Sequence, residues 1–159
     1  MKKLEVEQED ILKLMRHIDF FNSFTEKELL LFVGQSEVEK FMPGEEIIRE
    51  GDEGYSFYII LKGSVAISKK MHLSSYSKKI NELSRGQCFG EMALVTGKSR
   101  SANVAAKEET FVIKLDPYLV NRETDDSGLL SVQLKIYKNL SRELAEKLGK
   151  HSEIITLLL

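Results

Sequence analysis

The stretch Phe89-Gly90-Glu91-Met92-Ala93-Leu94-Val95-Thr96-Gly97-Lys98-Ser99-Arg100-Ser101-Ala102 gathers a glycine, a carboxylate, a short helix-competent segment and an arginine. Gly90 has no side chain, so the backbone there can come close to an anion. Glu91-Met92-Ala93-Leu94 can open a short helix whose free N–H groups face a phosphate. Arg100 adds a forked, permanently positive group. A phosphate would repel Glu91, so that carboxylate needs another task. Accepting hydrogen bonds from a ribose hydroxyl is one, as acidic residues do in dinucleotide sites. The set suits a small ligand with one phosphate and one sugar. Each residue also has a plainer reading: Arg100 as a surface arginine, Glu91 as an acid stabilised by a helix dipole, Gly90 as a turn residue.

The flanking sequence must hold these groups in place. Apolar positions at Ile11, Leu12, Leu14, Met15 and Ile18 predict a helix over about Val6 to His17. Phe20-Phe21-Asn22-Ser23-Phe24 breaks that pattern. Thr25-Glu26-Lys27-Glu28 reads as a capping box opening a second helix, which ends near Gly34. The period then changes. Short β-branched or aromatic runs predict strands at Val38–Phe41, Glu46–Ile48, Phe57–Leu61, Ser64–Lys69, Lys79–Leu83, Ser101–Ala106 and Thr110–Leu115. Turn signals at Pro43-Gly44, Glu50-Gly51-Asp52, Lys62-Gly63 and Arg85-Gly86 separate them, and many short strands with regular turns indicate a sandwich or barrel. The polar segment His72 to Ser77 reads as a hairpin tip. After Asp116-Pro117 helix returns, with a break over Asn121 to Gly128. From Leu129 a long amphipathic helix carries two apolar rows, one through Leu130, Leu134, Tyr137, Leu144 and Leu148, the other through Leu129, Val132, Ile136 and Leu140. The Tyr137–Leu148 stripe is expected to belong to the core. The chain finishes in Ile154-Ile155-Thr156-Leu157-Leu158-Leu159, and this apolar end points to a homodimer or a protein partner along the helix.

The 89–102 run resembles the phosphate-binding cassette of the cyclic nucleotide-binding domain family. Upstream, Pro43-Gly44-Glu45-Glu46-Ile47-Ile48-Arg49-Glu50-Gly51-Asp52, followed by Phe57-Tyr58-Ile59-Ile60-Leu61-Lys62-Gly63-Ser64-Val65, resembles that family's paired-strand signature. The matches run from about Phe41 to Asp116. The resemblance implies a mainly β fold: an eight-stranded antiparallel β-roll, jelly-roll-like, over 37–116. Helices precede it over 1–36, and a hinge with a long helix follows over 117–159, all within one domain. It implies a ligand, cAMP in preference to cGMP, with no other cofactor. It assigns ligand contacts to Gly90, Glu91, Met92, Ala93, Arg100, Ser101 and Ala102. Ile67, Asn81 and Leu83 would line the base and sugar pocket, although core packing is the plainer role of the two aliphatics. Two departures stand out. Met92 replaces a usual Leu or Ile with little change of volume, and Ser99 replaces a frequent proline. Ser101 resembles the bacterial catabolite-activator branch, where many eukaryotic relatives carry alanine. Its hydroxyl could also reach the exocyclic amine of guanine.

Composition sets the outer limits. The chain has 159 residues, 42% hydrophobic and 30% charged, as suits one soluble domain. A net charge of −2 offers no electrostatic footing for nucleic acid. No apolar run approaches a membrane span, so no membrane partner is expected. Met1-Lys2-Lys3-Leu4-Glu5 turns acidic too early for a signal peptide. Cys88 is the sole cysteine, which rules out an internal disulfide framework and fits a cytoplasmic protein. His17, His72 and His151 lack metal-ligand spacing. The expected role is therefore a non-enzymatic sensor whose ligand moves the C-terminal helix. The alternatives are the sensory half of a cAMP-dependent transcription regulator, a regulatory fragment of a larger kinase or channel, and a metal-dependent oxygenase on a related barrel.

Overall fold

A computed structural model describes residues 2–3, 7–73 and 75–158, the first two by backbone alone. The expected helix start at Val6, Ser74 of the polar segment and the terminal Leu159 lie outside the described residues. In chain order the elements are β1 (Lys2–Lys3), α1 (Gln8–Met15), a 3-10 turn (Asp19–Phe21), α2 (Glu26–Gly34), β2 (Ser36–Phe41), β3 (Glu46–Ile48), β4 (Phe57–Lys62), β5 (Ser64–Lys70), β6 (Ser77–Ser84), β7 (Cys88–Phe89), α3 (Glu91–Thr96), β8 (Asn103–Ala106), β9 (Thr110–Leu115), α4 (Pro117–Asn121) and α5 (Ser127–Leu158).

Strands β2 to β9 form the roll, and every pairing in it is antiparallel. One sheet runs β1-β2-β9-β4-β7 and the other β3-β8-β5-β6. Strand β4 lies inside the first sheet and is buried along Phe57 to Leu61, which is why it reads as an unbroken apolar run. Between the sheets lies a core of Phe41, Ile48, Tyr58, Ile60, Val65, Leu83, Phe89, Val104, Ala106 and Val112. A second apolar cluster joins the outer side of β4 and β9 to the helices. Its aromatic centre is Phe20, Phe21, Phe24, Phe32 and Phe57.

The capping box at α2 forms as expected. Glu28 N donates to Thr25 Oγ1 at 3.3 Å, and Thr25 N donates to Glu28 Oε2 at 2.9 Å. Glu28 does more than cap. It accepts from Ser131 Oγ at 2.6 Å and from Lys135 Nζ at 2.5 Å, fastening α2 to α5. Burial pushes its carboxyl upward, but hydrogen bonds from Lys135, Ser131 and Thr25 outweigh burial and hold its pKa at about 2.

Helix α5 begins at Ser127, two residues earlier than expected, because Asp126 Oδ1 accepts from Leu129 N at 2.7 Å and caps its first turn. It buries the row Leu129, Val132, Ile136 and Leu140. The other row is not core. Tyr137 is 39% exposed and Leu148 is 69% exposed, so the expected core role of the Tyr137–Leu148 stripe is corrected. Both rows have helical spacing, and only the packing against α2 and α4 decides which faces inward. No described helix is long and apolar enough to cross a membrane.

Candidate functional site

Helix α3 starts directly from β7, and Gly90 makes the join at φ +81°. A Cβ on Gly90 would lie 2.8 Å from Ser56 O and 3.0 Å from an Arg100 terminal nitrogen. Glycine is therefore required by close approach of the chain's own groups, whatever ligand adjoins it. Gly97, at φ +66°, ends the helix after six residues.

Arg100 returns to this join from the far side of α3. Its guanidinium donates to Gly90 O at 3.2 Å and to Ser56 O at 2.9 Å, and it lies 6.0 Å from the centroid of the Tyr58 ring. Tyr58 is itself stacked on Phe89 at 4.9 Å. The backbone of Arg100 is pinned to the Glu50-Gly51-Asp52 turn: Gly51 N donates to Arg100 O and Arg100 N donates to Asp52 O. Arg100 is 8% exposed, and burial pushes its pKa below the ordinary arginine value. Among the described residues no carboxylate forms an ion pair with it. Two of its five N–H donors are used on carbonyl oxygens, and among the described residues the guanidinium makes no further hydrogen bond.

Glu91 is nearly buried, and its carboxylate is already engaged. Lys147 Nζ reaches across from α5 to donate to Glu91 Oε1 at 2.6 Å and to Cys88 O at 3.4 Å. Lys147 lies off both apolar rows of the helix. Its partner is 56 residues away, and no local pattern could reveal it. Cys88 itself is a buried core residue whose thiol pKa is pushed well up, chiefly by burial.

The remaining candidates fall into distinct settings. Ala93 and Leu94 are buried while Met92 is 47% exposed, so the swap at Met92 falls on the surface of α3. Ser101 is exposed and Ala102 half-buried on the segment between Arg100 and β8. Ile67 and Asn81 are direct register partners on β5 and β6. Leu83 lies two residues beyond Asn81, on the same face by strand alternation. It is 2% exposed and part of the inter-sheet core, which is the plainer of its two expected roles. This face of the hairpin thus runs from packed core at Leu83 to open surface at Asn81. Ser56, Tyr58 and Asn103 also belong to the site's frame and were not singled out from sequence. Asn103 Oδ1 accepts from Glu50 N at 2.8 Å, holding the Gly51 turn to β8. Among the described residues, no three His, Cys, Asp or Glu side chains come together in a way that would hold a metal ion.

Comparison with known proteins agrees with this geometry. Residues 38–122 match the family described as cyclic nucleotide-binding domain. Human cGMP-dependent protein kinase 2 is 29% identical over 150 residues, covering 93% of this chain and 20% of the kinase. The cAMP-dependent protein kinase regulatory subunit of Dictyostelium discoideum is 32% identical over 123 residues, covering 76% of this chain and 36% of the subunit. The chain thus spans well under half the length of either relative. The crystal structure of Thermus thermophilus catabolite activator protein superimposes with a TM-score of 0.70 at 26% identity, covering 87% of this chain and 62% of that one. The eight-stranded roll, the Gly90–Arg100 cassette and a family match over more than half its residues identify the chain as a regulatory module belonging to the cyclic nucleotide-binding domain family.

Proposed function

We propose that the chain reversibly binds a 3′,5′-cyclic nucleotide and that binding is coupled to the far half of α5. The observation that carries this reading is Arg100, a buried guanidinium held by two carbonyl oxygens with no carboxylate partner among the described residues. A buried charge without a counter-charge is costly, and a phosphate would supply one. The ligand phosphate then sits between Arg100 and the first-turn amides of α3, including that of Ala93, close to Ser101 and Ala102. The ribose hydroxyl meets Glu91. The base lies along Ile67 and Asn81, where the hairpin face opens.

Coupling follows from the state of Glu91. Its carboxylate is occupied by Lys147, so a ribose hydroxyl must compete with that ammonium for the same oxygens. A ligand that loosens the ion pair favours an α5 released at residue 147, and release favours the ligand in return. Such coupling is typically ~1–3 kcal/mol.

We take cAMP as the favoured ligand. A second reading, cGMP, is supported by the exposed Ser101 hydroxyl, which could accept from a guanine amine, and by the similarity to cGMP-dependent protein kinase 2. Side-by-side calorimetry decides between them. The tighter ligand should also raise the melting temperature, by the equivalent of about 2.7 kcal/mol at a hundredfold excess over Kd.

The same proposal extends to assembly. The uncovered side of α5 carries Leu130, Leu134, Tyr137, Ser141, Leu144, Leu148, His151, Ile155 and Leu158, alternately four and three residues apart. That is the spacing of a coiled-coil seam, apolar at all positions but Ser141 and His151. A parallel pairing of two α5 helices would cover it. A role as the regulatory part of a longer polypeptide fits the small share of each kinase relative that the chain spans.

A further inference from the structure

The β5–β6 hairpin extends beyond the body of the roll. Every described residue from Lys69 to Glu82 is exposed. The ribbon closes where Met71 N donates to Tyr76 O at 3.2 Å. Its tip carries large apolar side chains in water: Met71 is 53% exposed, Tyr76 77% and Leu73 101%. A two-stranded ribbon has no second layer against which to bury them.

Charge is segregated on the same element. Between Glu53 and Glu82 the sequence contains no acidic residue but five lysines, in a chain whose net charge is −2. Four of them, Lys69, Lys70, Lys78 and Lys79, flank the tip. Lys69 and Lys78 stand directly opposite each other in the ladder, a destabilising like-charge pair. Strand alternation puts Lys70 and Lys79 on the other face, so positive charge surrounds the ribbon. Lys79 is paired with Glu82, whereas among the described residues no carboxylate forms an ion pair with the ammonium groups of Lys69, Lys70 or Lys78; Glu50 Oε2 accepts from the backbone N of Lys70 at 2.8 Å.

An apolar tip with a basic collar behind it matches the layering of a lipid bilayer surface. Two residues of strand separate Met71 from Lys69, about 7 Å at ~3.3 Å per residue. Interfacial side chains typically sit about 5–10 Å deep, below a headgroup layer that is negative in anionic membranes. The apolar groups project from a narrow convex end. That shape suits insertion between headgroups better than seating against a flat protein face.

We propose that the β5–β6 hairpin docks on an anionic lipid surface, with Met71, Leu73 and Tyr76 entering the interface and Lys69, Lys70 and Lys78 lying over the headgroups. The expectation of no membrane partner rested on the lack of a spanning run, and docking of this kind needs none. The proposal does not depend on which nucleotide the chain binds.

The test is co-sedimentation of the full chain with vesicles of phosphatidylcholine alone or mixed with phosphatidylserine. Phosphatidylserine vesicles should pellet the protein at low salt, and phosphatidylcholine alone should not. Lys69→Gln and Lys78→Gln should each weaken binding about fivefold. Leu73→Asp should abolish most of it with an unchanged melting curve, since Leu73 packs on nothing. Leu30→Asp, on the exposed side of α2, should leave it intact, which separates the hairpin from exposed leucines elsewhere. Failure to pellet with phosphatidylserine, or binding indifferent to the lysine substitutions, would overturn the proposal. So would binding that survives Leu73→Asp and is matched by soluble polyglutamate, which would assign the collar to an acidic polypeptide instead.

Discussion

The two halves of α5 are held in different ways. From Leu129 to Leu140 the helix buries an apolar row, and polar side chains on it make specific contacts across to other elements. Lys135 meets Glu28, Gln133 Nε2 donates to Leu119 O at 2.8 Å, and Asn139 Nδ2 donates to Phe20 O at 2.6 Å. After Leu140 no α5 residue is buried, and Leu148, Ile154, Ile155, Leu157 and Leu158 are all more than half exposed. Lys147 ties this second half to the roll, donating to Glu91 and Cys88. One half is therefore part of the fold, and the other is tethered by a charge pair at the candidate site. A ligand acting on Glu91 meets the weakly held half, where little packing has to be broken.

The largest difference between the halves should appear on truncation of one apolar side chain in each. Ile136 is fully buried, so Ile136→Ala should cost about 2–5 kcal/mol in a denaturant melt. Leu148→Ala should stay within about 0.5 kcal/mol at concentrations where the chain is monomeric. Comparable losses would mean that the second half is docked after all.

Next in size is the acid sensitivity of the docked half. Glu28 has a folded pKa of about 2, below the ordinary carboxylate value of 4.5. Its contribution is therefore complete above pH 4.5 and is lost as pH falls towards 2, and linkage makes it on the order of 3 kcal/mol. Glu28→Gln should lower stability at pH 7 and flatten the profile between pH 4.5 and 2. An unchanged slope in that window would remove Glu28 as the fastening between α2 and α5.

The tether sets a smaller and opposite effect. If Lys147 competes with the ribose, Lys147→Met should tighten cyclic nucleotide binding by ~1–3 kcal/mol, and by less for a 2′-deoxy analogue. Weaker binding of both would show that Lys147 supports the bound state. Smallest is assembly. Sedimentation should find a dimer at micromolar concentration, and removal of residues after Lys150 should weaken it. A strictly monomeric full chain would leave the α5 seam without a partner copy.

Legibility in the sequence followed the range of the interactions. Thr25 and Glu28 announced a helix start because a capping box is local, and Gly90 and Arg100 lie within one short segment. Seven strands were visible as β-branched or aromatic runs. Cys88–Phe89 was not, since two residues show no period, and β8 begins at Asn103 rather than Ser101. The uncovered row of α5 is indistinguishable from the buried one in the sequence, because periodicity finds faces without saying which one meets the body. Lys147 and Ser56 were invisible for a related reason: each acts through a partner far along the chain, Glu91 for the first and Arg100 for the second.

Titration calorimetry of cAMP and cGMP into the full chain and into Arg100→Ala tests the central claim most directly. The account predicts micromolar or tighter binding of at least one nucleotide to the native chain, weakened by ~2–5 kcal/mol in the variant, because the ligand phosphate would lose its charged partner. No heat at millimolar ligand with the native chain, or equal affinity in Arg100→Ala, would contradict it.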